Sequence, residues 1–235
     1  METRIDPEQT LGCLVAERPA LAATLERLRF DYCCGGGVTL SDACRHRGLD
    51  PDTVAVVLEQ LDGAADAITF LPHDLRGATI AGLCDHIVAA HHEPLRRELP
   101  RIAELLSTVV RVHGRDHPEL HDLQRLYTTL AGVLVEHLDS EEATVFPAAR
   151  EQTEAGAAEP ALAAVVAEHA AEHAETGNAL AALRELAGGY DVDRAYCSTH
   201  RRLLEALEAF ELDLHQHVHE ENNLLFPRLV SQSTG

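Results

Sequence analysis

Apolar residues recur every three or four positions through the last two thirds of the chain. Four such stripes follow one another from Leu75 onward, and each is typical of a long amphipathic helix that buries one face. Segments rich in Gly, Pro and Asp separate the stripes at residues 113–118, 153–160 and 188–191. Strand-type alternation is nearly absent. We therefore predict an all-α fold in which four helices of about 25–35 residues form an up-down-up-down bundle.

The first part of the chain has a different pattern. Residues 1–62 contain only short helical segments, which are interrupted by Pro and Gly. Residues 63–74 are irregular and are interpreted as a linker. The sequence thus predicts a small helical domain over residues 1–66 and a four-helix bundle over residues 75–232.

Histidine and glutamate stand in the four stripes at positions where the period calls for leucine. Burying a carboxylate without a partner costs free energy. Because His or Glu occurs at the same level in all four helices, we predict that these residues share a partner in the core. The predicted core-facing positions are Val88, His92, Leu95, Leu99, Ile102, Leu106 and Val109; Leu120, Leu123, Tyr127, Leu130, Leu134, His137, Glu141 and Val145; Leu162, Val166, His169, His173, Thr176, Leu180 and Leu183; and Leu203, Leu207, Phe210, Leu214, His217, Glu221 and Leu224.

An internal repeat relates these polar positions. The pattern H-x3-E-x4-F-P occurs at residues 137–147 and again at residues 217–227, and an earlier His precedes each copy. Residues four apart share one face of a helix. Two helical hairpins would therefore bring four imidazoles and two carboxylates together in the bundle core. The candidate ligands are His92, His137, Glu141, His173, His217 and Glu221.

Mixed imidazole and carboxylate ligands suit iron or manganese, and also zinc. Two carboxylates among four imidazoles predict a dinuclear site in which each Glu bridges both ions. Such a site leaves coordination positions open for a small ligand, so it would be reactive or labile rather than a closed structural site.

Other histidines compete for these places. His86, His91, His215 and His219 flank the stripes, and we expect them to be partly exposed or to support the ligands from just outside the coordination shell. His169 lies on the stripe one turn before His173. It is a fifth ligand, a neighbour that supports a ligand, or a core residue, and the internal symmetry favours His173 as the ligand.

Composition and charge exclude several classes of function. The formal net charge is −20, which argues against a basic surface for nucleic acid or an anionic membrane. All nineteen basic side chains are Arg, so the chain has no Lys for a Schiff base or a P-loop. No membrane span or secretory signal is visible. The six Cys form no disulfide framework, so reduced thiols in the cytoplasm are expected.

Cys33 and Cys34 precede three consecutive glycines at residues 35–37. We expect the glycines to adopt backbone conformations closed to other residues and to leave the thiols uncovered. A thiolate pair of this kind can bind iron, accept a nitrosyl group or relay electrons. The competing interpretation is a tight turn with two small buried side chains. The remaining cysteines are expected to be ordinary core or surface residues.

The C-terminal 160 residues resemble hemerythrin-like domains, and residues 31–37 (DYCCGGG) resemble the short N-terminal domain of bacterial di-iron proteins that repair iron–sulfur clusters (the repair-of-iron-centres family). The resemblance implies a non-haem di-iron centre with four His and two bridging Glu. By motif these fall on His92, His137, Glu141, His173, His217 and Glu221.

The resemblance also implies a function. Proteins of this family act in the cytoplasm and restore clusters damaged by nitric oxide or oxidants, by supplying iron. We therefore expect a non-enzymatic iron donor, a monomer or homodimer, with damaged iron–sulfur proteins as clients and nitric oxide or oxygen as small ligands. One departure is His169, since H-x3-H is similar to oxygen-carrying hemerythrins. An oxygen or nitric oxide binding or sensing protein, and a di-iron nitric oxide or peroxide reductase, stay open as alternatives.

Overall fold

The computed structural model describes residues 4–62, 75–155 and 160–231, and most of the described residues are helical. Its only β-type contact is an isolated bridge between Thr10 and Thr39. The all-α prediction is therefore confirmed. The described helices are α1 (Leu11–Glu17), α2 (Leu21–Arg27), α3 (Leu40–His46), α4 (Pro51–Asp62), α5 (residues 80–113), α6 (residues 119–155), α7 (Pro160–Leu186) and α8 (residues 198–231).

Residues with strong capping or turn preferences mark the helix boundaries. Thr79 caps α5, because its hydroxyl accepts a hydrogen bond from the Gly82 amide. Pro118 directly precedes α6, and α7 begins at a proline. Gly188 and Gly189 have positive φ angles of 64° and 73°, and α7 ends just before them.

Helices α5 to α8 form the predicted bundle, with α5 packed against α6 and α8, and α7 against α6. Its buried apolar residues fall into two clusters. The larger one includes Leu106, Tyr127 and Phe210, and the smaller one includes Ile87, Phe146 and Phe226. The polar layer of His and Glu lies between them along the helices. Of the helices that the structure describes, none is long and apolar enough to cross a membrane.

Three of the four bundle helices contain one wider, π-helical turn in this layer. The turns are Val88–His92 in α5, Glu141–Val145 in α6 and Glu220–Leu225 in α8. Such turns insert a residue into the helical register and often occur at functional sites. In α5 the inserted residue places both His91 and His92 in the interior.

The predicted core positions are buried with one exception. Val88 is half-buried, and the residues buried around it are Ile87 and His91. The prediction assumed a continuous 3.6-residue period, and the π-helical turn that begins at Val88 breaks that period.

The short helices α1 to α4 pack around their own apolar residues, among them Leu14, Leu25 and Leu58. Val218 of α8 belongs to the same cluster. His215 of α8 also donates a hydrogen bond to the Glu26 carboxylate of α2 over 2.6 Å. The N-terminal helices therefore pack directly on α8. The predicted linker at 63–74 lies outside the described residues.

Candidate metal centre

The structure brings the six predicted ligands into two buried groups of four. Each group takes two imidazoles of its own, and both include the same two carboxylates, Glu141 and Glu221. One group is His92, Glu141, His217 and Glu221, and the other is His137, Glu141, His173 and Glu221.

Glu141 faces both groups, one carboxylate oxygen to each. Its Oε2 lies 3.4 Å from Nε2 of His92, and its Oε1 lies 3.1 Å from Nε2 of His137. The side chain is fully buried, and neither oxygen has a hydrogen-bond partner within the described chain. A carboxylate in this position requires a cation or a proton close to each oxygen.

Glu221 has the same relationship to the other two imidazoles. Its Oε1 lies 3.3 Å from Nε2 of His217, and its Oε2 lies 3.2 Å from Nε2 of His173. This carboxylate is also fully buried, with both oxygens unpartnered in the described chain. The two glutamates thus span the space between the groups, as the internal repeat predicts for bridging carboxylates.

Three of the four imidazoles are oriented through their second nitrogen by a neighbouring polar side chain. These hydrogen bonds fix the ring orientation and direct Nε2 at the carboxylates. The pairs are His92 Nδ1 with Glu142 (2.9 Å), His137 Nδ1 with Glu172 (2.7 Å) and His173 Nδ1 with Asn222 (2.9 Å). The hydrophobic pattern did not reveal these partners, although each one is next in sequence to a predicted ligand.

The spacing of the imidazole nitrogens fits metal coordination. Nε2 of His92 lies 3.1 Å from Nε2 of His217, and Nε2 of His137 lies 3.0 Å from Nε2 of His173. Two atoms each bound about 2.1 Å from one ion, at about 90° to each other, lie about 3.0 Å apart. The donor set, the unpartnered carboxylate oxygens and this spacing are able to hold two iron ions.

The charges of the layer favour a cation. Burial lowers the pKa of His137, but Glu141, Glu221 and Glu172 together more than offset this effect and raise the value to about 9. Burial and Glu221 raise the pKa of Glu141, but His137 and His92 more than offset them, so its pKa is lowered. The carboxylates are therefore charged, and protons compete with metal ions for the imidazole nitrogens.

His169 belongs to neither group that contains the shared carboxylates. It lies beside His137 and Glu172, with its ring centroid 5.1 Å from that of His137. Its Nδ1 donates to the Val165 carbonyl oxygen over 3.0 Å, while its buried Nε2 has no hydrogen-bond partner in the described chain. Its role as an additional ligand stays a prediction.

The flanking histidines differ in exposure. His91 and His219 are buried, whereas His86 and His215 are half-buried. Partial exposure therefore applies to His86 and His215, whereas the π-helical turn rotates His91 inward and the ring of His219 packs edge-on against Tyr32. Burial lowers the pKa of His219 to about 4. None of the four joins the groups around the shared carboxylates.

The Cys33–Cys34 segment lies against the layer of buried His and Glu side chains. The Cys34 thiol donates to the backbone carbonyl oxygen of His173 over 3.2 Å, and the two sulfurs are 3.9 Å apart. Hydrogen bonding to Cys34 and burial raise the pKa of Cys33, while the same hydrogen bond lowers the pKa of Cys34. Of the two, Cys34 is the half-buried thiol with the greater thiolate character.

The glycines after the cysteine pair allow neighbouring segments to approach the backbone closely and do not adopt unusual backbone angles. None of residues 35–37 has a positive φ, so the expectation of unusual backbone angles is wrong. The expectation of two uncovered thiols is wrong for Cys33, which is buried, whereas Cys34 is half-buried. A Cβ at Gly36 would lie 2.4 Å from the Asn223 side-chain oxygen and 2.6 Å from the Tyr32 carbonyl oxygen. Asn223 in turn donates to the carbonyl oxygen of Cys33 over 3.2 Å. The glycine therefore lets the cysteine segment lie directly on the π-helical turn of α8.

Two family models match this chain. A family model described as the hemerythrin HHE cation binding domain matches residues 85–229. A second model, ScdA_N, described as a domain of unknown function, matches residues 7–62. The second match covers the N-terminal helices, and the first covers most of the bundle.

Several curated proteins are similar over nearly the whole chain. The iron–sulfur cluster repair protein YtfE of Pectobacterium atrosepticum is 33% identical over 224 residues, which cover 95% of this chain and 97% of that protein. YtfE of Escherichia coli O81 is 29% identical over 225 residues, covering 95% and 97%. The iron–sulfur cluster repair protein ScdA of Staphylococcus haemolyticus is 28% identical over 228 residues, covering 94% and 98%. The chain therefore belongs to the hemerythrin HHE family and, within it, to the group that contains the YtfE and ScdA proteins.

Proposed function

We propose that this protein repairs iron–sulfur clusters damaged by nitrosative or oxidative stress, by donating iron from a labile non-haem di-iron centre. The observation that carries the proposal is the pair of four-residue groups that share Glu141 and Glu221. The names of the YtfE and ScdA relatives supply the biological context. Damaged iron–sulfur proteins would be the clients.

The proposed ligands are His92, His137, Glu141, His173, His217 and Glu221. A di-iron centre held there would supply exchangeable iron and open coordination positions for nitric oxide or oxygen. Glu142, Glu172 and Asn222 hold the imidazoles in orientation, and the apolar clusters on either side restrict water.

Cys34 is the proposed exit residue for iron. Its sulfur lies against the main chain of the proposed ligand His173, and it is half-buried rather than enclosed. Thiolates are soft iron ligands, and the hydrogen bond from Cys33 favours the thiolate of Cys34. A thiolate in this position would accept iron from the centre and present it to a client.

The experiment is reactivation of an iron–sulfur enzyme whose cluster has been damaged by nitric oxide, with the iron-loaded protein as the only iron source. We expect activity to return with the wild-type chain and to stay lost with Glu141→Leu and Glu221→Leu. Full reactivation by both variants would contradict the mechanism. Circular dichroism of each variant checks that the bundle is folded.

A second candidate function is the reversible binding or sensing of oxygen or nitric oxide. The observation that favours it is the buried, unpartnered Nε2 of His169 beside His137. A stable oxygen adduct that His169→Ala loses would favour this function. Rapid and irreversible oxidation of the ferrous centre, unchanged in that variant, would favour iron donation.

A further inference from the structure

A third group of potential metal ligands lies beside the two groups already described. His86, His91 and Glu220 each offer one atom, and the three atoms lie within 4.8 Å of one another. Glu220 Oε2 is 3.3 Å from Nε2 of His86 and 3.4 Å from Nε2 of His91. His91 and Glu220 come from the π-helical turns of α5 and α8.

His91 is oriented as the proposed ligands of the dinuclear centre are. Its Nδ1 donates a hydrogen bond to the Asp213 carboxylate over 2.9 Å. This bond fixes the ring orientation, so Nε2 is directed at the Glu220 carboxylate. A carboxylate behind the second nitrogen is the usual support of a metal-binding imidazole, and Glu142 and Glu172 occupy the same position behind His92 and His137.

Two atoms that face each other in this group have no hydrogen-bond partner within the described chain. Nε2 of His91 and Oε2 of Glu220 are both buried and unpartnered. With Nδ1 as the donor, a lone pair faces a carboxylate oxygen in a desolvated place, and this arrangement is unfavourable unless a cation or a second proton lies between them.

We propose that His86, His91 and Glu220 bind a third divalent first-row transition-metal ion, with Asp213 as the positioning residue behind His91. Two imidazoles and one carboxylate suit Fe²⁺ or Zn²⁺, with water completing the coordination. The Glu220 and Asp213 carboxylates balance the charge of a divalent ion. The His86 side chain is 25% exposed, so solvent reaches the site from that side.

The third site adjoins the dinuclear centre and is distinct from it. The His91 ring stacks on that of His217, with centroids 5.5 Å apart and planes 19° apart. Because His217 belongs to one of the groups around the shared carboxylates, an ion at His91 lies next to the pair without using its ligands. The proposal stands independently of the repair function.

The test is the metal stoichiometry of the full-length chain. The apo-protein is titrated anaerobically with Fe²⁺ and, separately, with Zn²⁺, and bound metal is counted after gel filtration. We expect about three ions per wild-type chain and about two in His86→Gln and Glu220→Gln. His121→Gln, which changes an exposed histidine of α6, is the matched control and should retain three.

The number of bound ions decides whether the third site exists. A loss of one ion in both variants, with the near-ultraviolet absorption of the di-iron pair unchanged, supports the third site. Two ions in the wild-type chain, or three ions in both variants, overturns it and leaves His91 with a proton between its two carboxylates. Loading with only one of the two metals identifies the ion that the site takes. The repair assay is not needed for this decision, so failure of the third site is distinguishable from failure of the proposed function.

Discussion

The Cys34 sulfur lies 3.2 Å from the backbone carbonyl oxygen of His173, although 139 residues separate the two positions. This contact joins the N-terminal cysteine segment to the helix that carries a proposed iron ligand. It places the thiol beside the layer of buried His and Glu side chains, but the thiol is not one of the six proposed ligands.

The first prediction concerns this thiol. Cys34→Ser should keep the iron content of the protein and lower the rate at which iron passes to an apo-cluster acceptor, because a serine hydroxyl does not form a soft anionic ligand. Cys13→Ser, which changes an exposed thiol of α1, is the control. Equal transfer rates for the two variants would argue against Cys34 as the exit residue.

Gly177 provides a second test of the same contact. A Cβ at this mid-helix position of α7 would lie 3.3 Å from the Cys34 sulfur, whereas a Cβ at Gly132 of α6 would meet nothing within 4 Å. Replacing a helical Gly by Ala stabilises a helix by about 1 kcal/mol. Gly132→Ala should show this gain in urea unfolding. Gly177→Ala should gain less, because the new methyl group pushes on Cys34. Equal gains would indicate that Cys34 does not rest against α7.

The third prediction concerns a residue that orients a ligand. Glu172→Gln weakens the hydrogen bond that holds His137 and lowers the basicity of its ring, so iron affinity should fall about 10- to 100-fold. A competing chelator measures the change. The exposed Glu168 lies one turn earlier on α7, and Glu168→Gln should retain the wild-type affinity. A wild-type affinity in Glu172→Gln would contradict the orienting role.

Iron affinity should also depend on pH. Glu141, with Glu221 and Glu172, more than offsets the effect of burial and raises the pKa of His137 to about 9. Below that pH a metal ion must displace the proton, so apparent affinity falls as the pH falls, by up to about tenfold per unit for each proton displaced. Chelator competition between about pH 6 and 8 measures the slope. An affinity that is constant over this range would show that His137 binds no metal.

The burial of the six proposed ligands in one layer of the bundle could be predicted because two independent patterns coincide there. Glu141 and Glu221 occupy positions in the apolar stripes where the helical period predicts a buried leucine. The duplicated H-x3-E motif places both glutamates at the same level of the bundle. A buried carboxylate needs a partner, so the amino-acid pattern by itself implies a cation. All six side chains are buried and in the same layer of the bundle.

The remaining features depend on contacts that periodicity does not encode. The π-helical turn at Val88–His92 shifts the register by one residue, which buries His91 and leaves Val88 half-buried. The approach of Cys34 to α7 depends on a long-range fit in which Gly36 and Gly177 provide the space. Neither effect has a local signature in the sequence, because each arises from the packing of separate helices.

The dinuclear centre is tested most sharply by Mössbauer spectroscopy of the protein loaded anaerobically with ⁵⁷Fe and then exposed briefly to air, with metal counted in the same sample. We expect an antiferromagnetically coupled ferric pair, with about two coupled irons per chain, whether or not the third site is filled. The pair should disappear in Glu141→Leu and Glu221→Leu. Iron bound only as isolated high-spin ions, or a chain that takes zinc and no iron after reconstitution, would contradict the dinuclear centre and with it the proposed iron donation.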